Sequence, residues 1–370
     1  MTIRHFLLFT ALAVGACSHE EPFDTPDTGS DRPFQPGTPA RLTYNPGTDQ
    51  HPSWADDGGS FFYSSQRYST PDGDRCIAQL PATGGSAFRT ICNPNPAAED
   101  SSDTFDSPSL FGDDRLLYVR TASRPGATAP NTAGVYVGSL TDPLSAARVL
   151  PLPYTVPGGR THGTISMARW LGRNRVVYLG QSVVYARECN GCTLDTLITG
   201  LEVVEMDLLG AQPTLTVVPG TYGASSVALS TTRDTLYYTL INDSRVYRIA
   251  LPSAQFSIAH DFGAQGIARD VTVLGARLVA VVGGEVEYID DPVLGPIQPD
   301  GGGALISVDL ATGVETVLQA QTPMVFRRPE FAPAGSTVRL VAEGYEPGVG
   351  PQTRHQLVSR VGELYLFEAP

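Results

Sequence analysis

One unit recurs along this chain: a short apolar run, a tight turn, and a second apolar run, repeated until four strand signals have passed. The unit is clearest between Arg41 and Cys92. Ser53-Trp54 enters a first strand, Asp56 to Gly59 makes a turn, and Ser60 to Ser64 forms a second run. Cys76 to Leu80 is the third, and Ala87 to Cys92 follows the Gly84-Gly85 turn as the fourth. Asp-Asp-Gly-Gly suits a tight turn, because aspartate bonds its own backbone and glycine accepts positive φ. A chain that repeats such a unit buries its apolar faces by stacking neighbours, and periodicity of the helical kind is sustained nowhere. The expected class is therefore all-β.

Weaker versions of the unit follow at 107–120 with 134–140, 168–180 with 201–208, 227–239 with 244–251, 270–282 with 303–318, and 328–344 with 362–369. Six units over 40–370 average about 55 residues each, longer than the roughly 40–50 usual for blade repeats. Loops at 121–133, 188–199, 291–302 and 345–360 take up the excess. The stretch HPSWADDGGSFFYSSQR (51–67) resembles the TolB-type, WD40-like propeller repeat, whose core is Pro-x-Trp/Phe-x-x-Asp-Gly-x-x-apolar-x-aromatic. That resemblance implies a β-propeller of six four-stranded blades, with seven as the alternative count and a pair of β-sandwiches as the alternative architecture. It also places Arg41-Leu42-Thr43-Tyr44 as the outer strand of the last blade, so that the N-terminal strand closes the ring and removes its exposed edges.

The N-terminus reads as an address. Arg4 and His5 precede an apolar run from Phe6 to Val14, too short at about 1.5 Å per residue to cross roughly 30 Å of hydrocarbon. The run ends in Val14-Gly15-Ala16-Cys17, which resembles the bacterial lipoprotein box. The expected organisation is a signal peptide at 1–17 with Cys17 acylated, a Pro/Asp/Ser-rich tether at 18–39, and the propeller at 40–370. The resemblance implies several acyl chains on Cys17 and hence firm anchoring, since one chain alone holds marginally. The expected location is the cell envelope, at the outer membrane with the domain periplasmic or surface-exposed, and with membrane contact through the anchor alone.

The formal charge is −13, and it is one unit more negative once Arg4 leaves. Such a surface disfavours nucleic acid and anionic lipid. Every basic side chain other than histidine is arginine. Without lysine there is no Schiff base, no phosphate-loop lysine and no Ser-x-x-Lys nucleophile. Gly-x-Ser-x-Gly, His-Glu-x-x-His and a calcium-loop signature are also missing from the sequence. With Cys17 acylated, Cys76, Cys92, Cys189 and Cys192 remain, and export favours disulfides. Four cysteines allow three pairings, of which two local bridges, Cys76–Cys92 and Cys189–Cys192, are the economical one. A redox or metal role for Cys189-Asn-Gly-Cys192 lacks the helix N-terminus or further ligands that it needs.

Aligning the units sets Gln50-His51, Asp106-Ser107, Ser166-Met167, Ser225-Ser226, Arg269-Asp270 and Arg327-Arg328 just before the inner strands, around the mouth of a central channel. A rim mixing Arg, Asp and His in an acidic protein suits an acidic peptide, an envelope protein or a glycan, and a solvated loop face is the plain alternative. The functional expectation is a non-enzymatic binding or scaffold module without cofactor, metal or catalytic residue. The alternative is a propeller enzyme of lyase, glycosidase or lactonase type acting at the channel mouth.

Overall fold

The computed structural model describes residues 39–43, 48–66, 75–92, 102–123, 133–158, 160–186, 195–251, 253–283, 289–291, 295–297, 303–321, 325–333, 338–347 and 358–368. Among them the architecture is all-β, with one helical turn at Gly263–Gln265. Cys17, Cys189, Cys192 and Tyr44 lie outside the described residues.

The strands form antiparallel meanders arranged as a β-propeller. Asp49–Trp54, Ser60–Gln66, Arg75–Pro81 and Arg89–Ile91 make the first. Ser102–Phe111, Arg115–Ser123, Gly134–Ser139 and Asp142–Pro151 make the next, tied to the first by the parallel pair Arg75–Thr104. Sheets led by Thr161–Gly172, Ala224–Leu229 and Ile267–Leu274 follow in chain order. The last contains Val325–Phe331, Arg339–Pro347 and Val358–Glu368, and its outer edge is Ala40–Arg41 from the start of the domain. Ala40 pairs with Leu366 and Arg41 with Tyr365, and the Leu42 amide donates to the Leu364 carbonyl at 2.7 Å. The resemblance sets this strand at Arg41–Tyr44; the structure pairs Ala40–Arg41, with Leu42 bonded beyond it, and Tyr44 lies outside the described residues. A short pair, Ile289–Asp291 with Gly295–Ile297, occupies part of the loop expected at 291–302.

Why these runs form such sheets follows from their second strands. A strand buried on both faces reads as a continuous apolar run, because alternate side chains serve opposite neighbours. In Arg175-Val-Val-Tyr-Leu179, Val176 and Tyr178 pack with Leu117, Val119 and Trp170, while Val177 and Leu179 pack with Val227, Leu236 and Tyr238. Phe61 and Tyr63 likewise pack with Leu364 and Leu366 of the last sheet, and Phe62 with Phe105 and Leu116 of the second. The core is thus a chain of apolar layers between successive sheets, and the layer between the last and first sheets closes it.

The Asp56–Gly59 turn forms as its chemistry requires. Gly58 takes φ 65°, and Asp57 Oδ1 accepts from the Gly59 amide at 2.8 Å. Cys76 and Cys92 are joined by a disulfide with their Cα atoms 4.6 Å apart.

A buried carboxylate cluster sits at the closure. Glu363 accepts from Arg41 Nη2 at 2.5 Å and from the Thr43 hydroxyl at 2.9 Å, and that hydroxyl accepts from the Leu364 amide at 2.9 Å. Burial, reinforced by Asp49, pushes the Glu363 carboxyl up to about 8 in spite of Arg41. A carboxyl raised in the fold favours folding while protonated, so that stability is present below about pH 4.5 and is lost as pH rises through 8. At about 1.4 kcal/mol per pKa unit the loss amounts to several kcal/mol. Melting temperatures of wild type and Glu363→Gln should diverge between pH 5 and 9, with the variant the more stable at the alkaline end. Parallel curves would contradict the assignment.

Candidate functional site

Each inner strand carries an irregularity at the same height. Register shifts fall between Gln50 and Ser53, Asp106 and Ser109, Ser166 and Arg169, Ala224 and Ser226, Ala268 and Val271, and Arg327 and Glu330. Within four of these bulges a non-glycine residue has a left-handed backbone: His51 at φ 54°, Ser107 at 49°, Met167 at 51° and Arg328 at 44°. Such backbones are uncommon for residues with a side chain and concentrate at bulges and functional sites. The aligned pairs therefore lie inside the inner strands, at their bulges. Sequence spacing begins these strands three to seven residues late, and so leaves the pairs as loop residues before them.

This placement also changes their surroundings. His51 is 6% exposed and Asp270 1% exposed, so both belong to the throat of the channel and not to an open rim. His51 Nδ1 pairs with Asp106 Oδ1. Asp106 also accepts from the Ser64 hydroxyl and the Ser107 amide, both at 2.7 Å, and from Gln50 Nε2 at 3.4 Å, with Arg75 3.7 Å away. Burial alone would push its carboxyl up, but His51, Arg75 and Ser64 outweigh burial and hold it well below the usual range.

Opposite, Asp270 Oδ2 accepts from Arg327 Nε at 2.5 Å and from the Arg328 amide at 3.0 Å. Burial opposes ionisation there too, and the two guanidinium groups overcome it. Ser225 and Ser226 form a third group: both hydroxyls lie 2.8 Å from Thr239 Oγ1, which donates to the Arg269 carbonyl. Arg269 itself is buried.

Glu343, which sequence reasoning missed, joins the first two groups. It is fully buried, accepts from the His51 amide at 2.5 Å and from Arg328 Nη1 at 2.8 Å, and receives the Tyr345 hydroxyl at 2.6 Å. A lone acid in the apolar run Arg339-Leu-Val-Ala-Glu-Gly344 was the available signal, since a charge on a strand buried on both faces needs a partner. Arg169 and Glu330 were missed as well. They pair across the channel, and Glu330 also takes the Trp54 amide at 3.4 Å. Burial raises the Glu330 carboxyl despite Arg169.

His51, Ser226, Asp270, Arg328, Arg169 and Glu330 line one cavity of about 390 Å³, together with Met167 and the Asp56–Arg233 pair, whereas Gln50, Asp106, Ser225, Arg269, Arg327 and Glu343 stand behind its wall. Trp54, Trp170 and Phe331 contribute apolar wall. Three buried polar atoms of lining residues have no hydrogen-bond partner among the described residues: His51 Nε2, Asp270 Oδ1 and Arg328 Nε. Among the described residues no three His, Cys, Asp or Glu side chains are grouped to hold a metal ion.

No family model matches the chain, and no curated protein sequence matches it. Solved structures do. A gluconolactonase from Xanthomonas campestris is similar at a TM-score of 0.51 and 11% identity, over 90% of this chain and 89% of that one. TolB from Acinetobacter baumannii is similar at 0.42 and 13%, over 85% and 65%. The Cps50 (Swd1) β-propeller domain of Myceliophteria thermophila is similar at 0.44 and 11%, over 90% and 100%. At such identities the likeness speaks to the fold alone.

Proposed function

We propose that this chain is an exported lipoprotein that serves as a non-enzymatic binding module of the cell envelope and takes its protein, peptide or glycan ligand at the central channel. In this reading residues 1–17 are the signal with Cys17 as the acylated anchor, 18–39 are the tether, and 40–370 are a six-bladed propeller. Dividing the eight-stranded sheet at its single parallel pair, Arg75–Thr104, supports six blades. The lipoprotein part rests on the Val14-Gly15-Ala16-Cys17 box.

The observation that carries the binding reading is the channel cavity itself, to which the bulges of three inner strands bring His51, Met167 and Arg328 on left-handed backbones beside Asp270. Such backbones at bulges concentrate at functional sites, and a concave cavity with a few polar groups is where a ligand sits. The test uses the full-length lipoprotein in detergent against envelope extracts. Arg233→Asn changes a half-exposed lining residue whose left-handed backbone asparagine accepts, so it should lose capture while its melting temperature stays near wild type, and equal capture by both proteins would overturn the site. For the anchor, Cys17→Ser should move the protein from the membrane to the soluble fraction. Unchanged detergent partitioning of that variant would sink the lipoprotein reading.

A second reading, an enzyme acting at the channel, is favoured by the His51–Asp106 pair. A carboxylate on Nδ1 orients the ring and leaves Nε2 without a hydrogen-bond partner among the described residues, the pairing by which a histidine base is held. That reading requires turnover on a polysaccharide or lactone panel, abolished by His51→Asn.

A further inference from the structure

The turns that follow the inner strands are stitched to their neighbours. Asp56 Oδ2 accepts from the Gly112 amide at 2.8 Å, the Thr231 hydroxyl from the Gly275 amide at 3.2 Å, and the Gly58 carbonyl from Arg339 Nη2 at 3.0 Å. These turns therefore gather at one end of the channel. Two ion pairs reach farther. On the six-bladed reading the first and fourth inner strands face each other across the channel, as do the third and sixth. Arg233, on the turn after Ala224–Leu229, reaches Asp56, on the turn after Asp49–Trp54, at 2.7 Å. Arg169 of Thr161–Gly172 reaches Glu330 of Val325–Phe331. Both pairs line the cavity, so one bridges it among the strands and the other at the turn end.

The two bridges differ in their hold. Arg169 also donates to the Pro52 and Ala168 carbonyls, at 3.1 and 3.0 Å, and is fixed on several sides. The Arg233 guanidinium makes one hydrogen bond among the described residues, through Nη2 to Asp56, and otherwise lies over the Phe111 ring, 5.0 Å from its centroid. Its side chain is 28% exposed and that of Asp56 39%. An ion pair exposed to that degree holds weakly, and salt weakens it further. Swinging Arg233 away breaks one hydrogen bond and one ring contact and hands both charges to water, while Asp56 keeps the Gly112 amide. Arg169–Glu330 is thus a tie, and Arg233–Asp56 is built to open.

We propose that the Arg233–Asp56 pair is a latch across the turn end of the channel, closed in this structure, whose opening governs passage between solvent and the cavity. The proposal rests on the reading of the channel as the binding site only in that a bound ligand is what the latch retains. Arg233 then serves capture by slowing release.

The chain has two tryptophans, Trp54 and Trp170, both buried in the wall of this cavity. Quenching of their fluorescence by acrylamide therefore measures access without any ligand. The full-length protein is compared with Arg233→Asn, with Asp56→Asn, and with Arg175→Asn, which breaks the exposed Arg175–Glu205 pair outside the cavity lining. At low ionic strength the first two variants should be quenched about twofold or more as strongly as wild type, and wild type should approach them at about 1 M salt, where screening acts within about 3 Å. Both variants should be indifferent to salt, Arg175→Asn should follow wild type throughout, and all melting temperatures should lie within a few degrees of one another. Equal quenching of wild type and Arg233→Asn at low salt, or a salt response that persists in the variant, would overturn the latch. So would a rise in Arg233→Asn that Asp56→Asn does not share, since the arginine would then block the mouth by bulk and not by its pair. Capture lost in Arg233→Asn with quenching unchanged removes the latch and keeps the site; quenching raised with capture intact keeps the latch and removes the site.

Discussion

Replacing Arg328 with alanine is expected to destabilise the fold by about 3–5 kcal/mol, the usual consequence of stripping one partner from a buried ion pair. Glu343 is fully buried and loses its cation, and Asp270 loses one of two. The His51 amide and Tyr345 hydroxyl still serve Glu343, but neither carries charge. For a domain of this size the melting temperature should fall by on the order of 10 °C. Adding Glu343→Gln should recover most of the loss, because the damage is an uncompensated charge and the second change removes it. A double variant as unstable as the sum of the two single ones would show that the pair is not coupled. The result bears on function as well: an arginine-to-alanine change in this throat unfolds before it informs, so binding is better tested at the half-exposed Arg233.

The second large effect concerns the closing strand. A chain beginning at Pro39 keeps Ala40–Arg41 on the edge of the last sheet, and a chain beginning at Tyr44 does not. The shorter chain loses the Leu42 side chain from a layer that also holds Trp54, Val341 and Leu364. Burying a leucine contributes about 1.5–3 kcal/mol. It also loses the contacts of Arg41 and Thr43 to Glu363 and the edge pairing itself. The expected cost is several kcal/mol by denaturant titration, together with exposure of the strand Val358–Glu368 as an open, association-prone edge. Equal midpoints for the two truncations would show that the ring does not depend on this strand.

Much of the fold is legible in the residues because its rules are local. Asp56 to Gly59 turns since those residues favour a turn, and runs such as Arg277-Leu-Val-Ala-Val-Val282 show by their unbroken apolarity that both faces are covered. The site was legible only in outline. Aligning units brought His51, Asp106, Asp270 and Arg328 to one end of the channel, but a bulge displaces backbone by one residue and leaves no mark on periodicity. Burial of the pairs therefore came as a correction. The partners that decide the chemistry are distant in sequence, Glu343 lying 292 residues from His51, and no spacing rule links them. The short pair Ile289–Asp291 with Gly295–Ile297 shows the opposite failure: the segment from 291, expected to be loop, contains a strand pair.

Closing a ring with its first strand has a consequence in time. As the chain is made from its N-terminus, Ala40–Arg41 emerges first, and its partner, around Tyr365–Leu366, emerges last. Until then the first meander shows an uncovered apolar face, Phe61 and Tyr63 among it, and contacts this far apart in sequence are slow to form. The molecule thus has a waiting period built into its topology, during which the intermediate is sticky and its two ends must be kept apart from other chains.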